Sequence, residues 1–384
     1  MKKAILYSKE TTRQVKPIRK SLTLLAVIYL SFSLSLLFAS PALAQQPLTF
    51  TEFQAPGAGT GAAQGTQAAW INVSGEVSGF YYDSSEVAHG FVRDASGTIT
   101  DFDAPGAGTN STQGTFAGQI NNAGTIAGSY LDENGVNHGY LRTAAGAISS
   151  FDAPNAGTTI GQGTLGVGLN TAGTAAGYYL DSTDVRHGFV RTAAGVFTVY
   201  NVVGAGTGTG QGTEGLAIND SGSVTGFYID GNGAFHGYVR TAAGVITTFD
   251  VSGSGTGLSL GTVPIAINKA GTIAGSYIDS SAKEYGFVRA TSGTITTFNV
   301  TGGTYTAANG INAAGMICGD YLDSKDVVRG YVRTPSGTIT TFDAPGSTMS
   351  PGGGTLAEGI NSTPTVVGFY TTSSEVYGGF VVSK

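Results

Sequence analysis

All four histidines of the chain, His89, His138, His187 and His236, stand in one setting, each followed by Gly and an aromatic residue and each 49 residues from the next. An imidazole is suited to proton transfer near neutral pH and to holding a divalent metal. A catalytic or metal site draws different residues together, whereas here one residue is copied along the chain. The copies fall on separate repeats, so the pattern reads as structural. Each imidazole is expected to tie the start of a strand to a neighbouring turn through an aspartate such as Asp83 or Asp132. A metal or catalytic role is the alternative; no cofactor is expected.

Other segments with chemical potential also have plainer readings. Asp132-Glu133-Asn134-Gly135 and Asp230-Gly231-Asn232-Gly233 begin like a calcium loop, but the later oxygen ligands of such a loop are missing. Asp and Gly in a hairpin turn account for both. The glycine-rich segments 57–61 and 204–208 precede no helix whose N-terminus would cradle a phosphate, and read as linkers. No G-x-S-x-G or H-E-x-x-H motif is present, and carboxylates are spread one or two per repeat. Carboxylates paired across repeats keep a polysaccharide-active enzyme, a glycosidase or lyase, as an alternative function. Candidate ligand-face residues come instead from the position before the histidine, which changes from copy to copy: Asn137, Arg186, Phe235, Glu284 and Tyr377, with Ala88 and Val328. Invariant positions build a repeat, and variable ones are free to recognise something or are unconstrained loop tips. Trp70, beside Ile71, reads as core.

The elements that position these residues follow from the repeat. An asparagine opens a turn at 72, 121, 170, 219, 268, 312 and 361, and a glycine and an aromatic keep step with it. One spacing is 44 residues instead of 49, where the link before the sixth unit is shorter. Turn signals divide each unit into four short runs with the character of strands. Apolar groups on both faces of one run, as in Ile126, Ala127, Tyr130 and Leu131, suit a sheet covered on both sides. Four antiparallel strands between two neighbours describe a propeller blade. The seventh unit lacks its fourth strand, and a matching segment, with Phe53 one repeat before Phe102, stands near the start. The expected fold is therefore all-β: a seven-bladed β-propeller of four-stranded antiparallel blades, closed by the N-terminal strand. The strands are too short for an outer-membrane barrel, and a linear solenoid leaves the displaced strand unexplained.

The units resemble those of the HAF-type bacterial extracellular repeat proteins, whose signature centres on His, a small residue and Phe. Here it reads His89-Gly90-Phe91, His138-Gly139-Tyr140, His187-Gly188-Phe189 and His236-Gly237-Tyr238, with Gly as the small residue. Units five to seven replace the histidine by Tyr285, Arg329 and Gly378. The resemblance implies export and a repeat architecture, and no activity.

Residues 1–44 combine early lysines and arginines, an apolar run from Leu22 to Phe38 and Ala42-Leu43-Ala44. They read as a signal peptide, leaving 45–384 as the repeat domain, secreted or periplasmic. An uncleaved membrane anchor is the alternative. Beyond residue 44 there are 12 basic against 24 acidic residues, a balance that disfavours nucleic acid and anionic membrane as partners. Cys318 is the only cysteine, so no internal disulfide is available. Glycine reaches about 18% of this part against a usual ~7%, yet the periodic Ile, Val, Phe and Tyr argue for a packed core. The expected function is a non-catalytic binding or scaffold module for a protein or polysaccharide, acting as a monomer.

Overall fold

Short apolar runs punctuated by glycine and aspartate leave the chain little choice but successive hairpins. The computed structural model describes residues 48–383; the expected signal peptide lies outside them. Among the described residues every regular element is a strand, and no helix is long and apolar enough to cross a membrane. The first unit shows the plan, with strands Gly65–Ile71, Val77–Tyr82, Ala88–Arg93 and Ile99–Phe102, each antiparallel to the one before. Gly75 and Gly97 close the first and third turns at φ of 86° and 102°, where a side chain would be strained. Asp83 closes the second turn by accepting the backbone N–H groups of Ser85 and Val87 at 2.8 and 2.9 Å.

The plan recurs with small departures. In the first six units the fourth strand has four residues, as in Ile148–Phe151, and pairs only with the third strand; the chain leaves it through Asp-Ala-Pro in units one, two and six and through Asn-Val or Asp-Val in the others. Pairing of the first strand slips between Ala68 and Trp70, a bulge shared by other units. Trp70, at that bulge, packs against Ile120 and Ile126 of the next unit and belongs to the core. Gly128 lies where a Cβ would come within 2.4 Å of the Phe116 carbonyl oxygen, so the backbones there approach too closely for any side chain. In the sixth unit the first strand is broken into Tyr305–Thr306 and Gly310–Ile311.

The core lies between units. Phe102 of the first meets Tyr140 of the second edge-on at 6.1 Å, and the Arg142 guanidinium lies 4.6 Å over the Phe102 ring. The same contact recurs from Phe151 and Arg191 to Phe298 and Arg333. Each aromatic pair contributes about 0.5–1.5 kcal/mol beyond its buried area, and each arginine about 0.5–2 kcal/mol. The last unit supplies Thr355–Ile360, Val366–Thr371 and Tyr377–Ser383. Its fourth place is taken by Thr49–Phe53, paired antiparallel from Thr49 opposite Ser383 to Phe53 opposite Gly379. Phe53 in turn meets Phe91 at 6.0 Å and lies under Arg93.

Candidate functional site

The histidines stand at the second position of the third strands, and both ring nitrogens face partners. In His89, Nδ1 is 3.0 Å from Asp103 and Nε2 is 3.6 Å from Asp83. His138 bridges Asp152 and Asp132, and His236 bridges Asp250 and Asp230, in the same way. His187 spans Asn201 at 2.8 Å and Asp181 at 3.1 Å. Each ring stacks on the tyrosine opposite it, at 5.1 Å for Tyr81 and 4.8 Å for Tyr228. The imidazole thus ties the second turn to the end of the fourth strand within one unit. Arg329 makes the same bridge, from Asp323 to Asp343. Burial raises the Asp181 carboxyl, but the Thr183 hydroxyl and amide, the Val185 N–H and His187 outweigh it and bring it down to about 2.

The repeated asparagines do more than open turns. All are buried, and Asn121 Oδ1 accepts the backbone N–H groups of Ala123 and Thr125. Its Nδ2 donates to the backbone oxygen of Asn170 at 3.0 Å. Asn72 donates likewise to Asn121, and the links run on through Asn170, Asn219, Asn268 and Asn312. Asn361 donates to the oxygen of Asn72 at 3.1 Å, where the series began. These groups surround a polar cavity of about 190 Å³, whose rim is the residue after each asparagine. The fully buried Thr115 ties consecutive elements differently, accepting the Ala104 N–H at 2.9 Å. Sequence reasoning missed these inter-unit links and the arginine stack, although the recurrence of Thr and Arg at one repeat position was the available signal.

At the opposite end, where the second turns and the links between units lie, the copies diverge. Asn137, Arg186, Phe235, Glu284 and Tyr377 are not loop tips: each opens a third strand and is half-buried. The reason is that each pairs antiparallel with the last residue of the second strand, as Asn137 with Leu131 and Arg186 with Leu180, and four of the five also bridge in parallel to the glycine that opens a neighbouring unit's first strand, as Asn137 to Gly163 and Arg186 to Gly212. Asn137 donates to the carbonyls of Gly161 and Gln162. Arg186 ion-pairs with the buried Glu214 at 2.6 Å. Phe235 packs on Phe227 and Tyr377 on Phe369, with ring centroids 5.2 and 5.5 Å apart. Glu284 accepts the Ser276 hydroxyl, and burial pushes its carboxyl up to about 7 despite that bond.

Symmetry breaks most strongly around Glu284. Tyr305 replaces the usual glycine, and its hydroxyl is pushed well up by burial and by Glu284, Asp320 and Glu358. Asp320 accepts Asn309 Nδ2 at 2.7 Å. The buried Cys318 thiol is raised by burial and by the same two carboxylates, Glu358 and Asp320. Among the described residues no three His, Cys, Asp or Glu side chains are grouped to hold a metal ion.

No protein-family model matches the chain, and no curated protein does. Solved structures do. The BP39L lectin from Burkholderia pseudomallei is 10% identical, with a TM-score of 0.53 over 83% of this chain and 97% of that one. The Dos1 propeller is 8% identical, with a TM-score of 0.49 over 86% and 95% of the two chains. The six-bladed β-propeller lectin of Aleuria aurantia is 12% identical, with a TM-score of 0.39 over 67% and 86%. At such identities the likeness bears on fold alone, and only the first is near enough to be used. Together with the repeated four-stranded sheets, it makes this chain an all-β protein of the β-propeller kind.

Proposed function

We propose that the protein is an exported, non-catalytic binding module, a seven-bladed propeller closed by its N-terminal strand, that holds a polysaccharide or protein on the face of the second turns and links. The observation that carries this reading is the contrast between frame and face. The same Asn, Thr, Arg and aromatic contacts recur from unit to unit, while the seven third strands open on seven different residue types. The pairing of Thr49–Phe53 with the last unit and the return of the asparagine series to Asn72 support blade count and closure. Residues 1–44 and the HAF-type resemblance support export. A lectin shares the fold, so the architecture is compatible with a sugar ligand.

The test is a glycan and protein binding screen of residues 45–384, followed by Phe235→Ala, Glu284→Gln and Tyr377→Ala. Substitution should weaken binding at least tenfold, with a single cooperative melt retained in each variant as the check that the fold is intact. A ligand indifferent to all three would place recognition elsewhere. Secreted material should begin at Gln45; a chain found only inside the cell would overturn export.

The gathering of Glu284, Asp320 and Glu358 around Tyr305 favours one second reading, a glycosidase in which the raised carboxyl of Glu284 donates a proton to the leaving oxygen. Release of reducing ends from a bound polysaccharide, abolished by Glu284→Gln, would establish it. Binding without turnover would discard it.

A further inference from the structure

On the proposed binding face, adjoining units are sewn together by the same backbone contacts at six places. In the first, Ala88 N–H donates to Gln113 O at 2.8 Å and Thr112 N–H donates to Glu86 O at 2.9 Å, and a parallel bridge joins Ala88 to Gly114. Asn137, Arg186, Phe235, Val328 and Tyr377 repeat it, each donating its N–H to the neighbouring unit's link and bridging to a glycine. Between the fifth and sixth units none of this is made. Glu284 stands where Ala88 does, but neither its N–H nor Ala282 O forms the corresponding bond, and the strands of the sixth unit make a sheet of their own.

The sequence explains the gap. Thr304 N–H meets Leu322 O as Gly59 N–H meets Tyr82 O, yet Thr304 runs directly into Tyr305, whereas Thr60–Gln64 separate Gly59 from Gly65. The five residues that make the seam elsewhere are the ones missing. Tyr305 also excludes the bridge, since a Cβ at the corresponding Gly261 would lie 2.0 Å from Phe235 O. What occupies this seam is an acid without a counter-charge. Glu284 accepts the Ser276 hydroxyl, and across the seam Tyr305 and Tyr331 are close enough to feel it, Tyr305 together with Asp320 and Glu358. Among the described residues no cation pairs with it. Lys283 points to the other side of the strand, where it lies 5.2 Å over the Tyr285 ring. Burial holds the Glu284 carboxyl up at about 7, so charging it in a closed seam is unfavourable and contact with water relieves the strain. Away from this face the same two units stay tied, by Asn268 donating to Asn312 O at 3.1 Å and by Phe298 packed on Tyr331 and under Arg333.

We propose that the seam between the fifth and sixth units is a pH-governed opening: its ends on the binding face part locally as Glu284 takes up charge, hinged on the intact asparagine end, and close when Glu284 is neutral. Local opening concentrates where backbone bonds are fewest, and this seam lacks the set that the other six share. The sign follows from the carboxyl, whose value rises from 4.5 to about 7 on burial. Closure is strongest below pH 4.5 and is lost as pH climbs through 7.

Hydrogen exchange on the mature chain without ligand, corrected for the intrinsic rate at each pH, tests this. Segments 276–286 and 304–309 flank the seam. Segments 369–379 and 65–71, which contain no histidine, flank the sewn seam between the last and first units and are the internal control. At pH 8 the first pair should exchange at least tenfold faster than the control, and at pH 5 the gap should narrow. In Glu284→Gln the gap should be the same at both pH values. Inserting a second copy of Thr60–Gln64 behind Thr304, together with Tyr305→Gly, should remove the gap at every pH. Equal exchange of the two pairs at pH 8 would overturn the opening, and a pH response that survives Glu284→Gln would overturn the role given to the acid. Glu284→Gln decides alone where the rebuilt chain does not fold. Because no ligand enters the measurement, its outcome is independent of what the face binds.

Discussion

Asn219 shows what a single repeated side chain does. It is buried, accepts the N–H groups of Ser221 and Ser223 at 3.1 and 3.0 Å, and donates to Asn268 O at 3.1 Å. Alanine would strand donors in the turn and a carbonyl on the neighbour, so Asn219→Ala should cost about 2–4 kcal/mol, read as a lower urea midpoint. Aspartate keeps the turn but sets an oxygen against the Asn268 carbonyl, and should fare no better. Two carboxyls titrate with opposite sign. Asp181 falls from 3.8 to about 2 in the fold, so its contribution is present above pH 3.8 and is lost as pH drops through 2. Asp181→Asn should be less stable by about 2 kcal/mol at pH 6, with the gap closing near pH 2. Glu284 rises from 4.5 to about 7, so the fold favours its neutral form and wild type loses ground as pH climbs through 7. Glu284→Gln should match wild type at pH 4 and melt higher at pH 8.

Strands and turns were largely legible because each unit repeats its own punctuation: aspartate or asparagine where a turn needs a side-chain acceptor, glycine where φ is positive. What joins one unit to the next was not. Arg142 stacks on Phe102 across a link whose sequence says nothing about which faces meet. Likewise Asn137 and Arg186 sit beside turn residues in sequence, and their pairing with Leu131 and Leu180, reinforced by the bridge to the next unit's glycine, makes them strand residues. The variability of the candidate residues was plain in the sequence, but their environment was hidden. The arginine stack predicts a measurable coupling. A double-mutant cycle of Arg142→Ala and Phe102→Leu should return about 0.5–2 kcal/mol, whereas Arg142→Ala paired with a change at Ile273, in a distant unit, should be additive.

At the scale of the molecule, the segment Thr49–Phe53 has the largest consequence for its size. It supplies the fourth strand of the last unit through backbone pairing with Tyr377–Ser383, Glu52 accepts the Gly346 N–H at 2.6 Å, and Phe53 covers Phe91. Under the proposed closure, its removal exposes an unpaired strand edge and opens the first unit's core. Deleting residues 45–56 should then lower the melting temperature sharply, with Phe53 burial alone accounting for about 1.5–3 kcal/mol. Deletion by itself also fits a chain that merely needs a cap. The decisive variant moves residues 48–56 behind Ser383 through a short flexible hairpin, so that the last unit is completed within one continuous stretch. If the segment acts as the fourth strand of a closed ring, the permuted chain should fold and melt at or above the original temperature, because a local hairpin replaces a long-range pairing with less loop entropy to overcome. A permuted chain that melts like the deletion would show that the segment must enter from the other side, and closure would have to be abandoned.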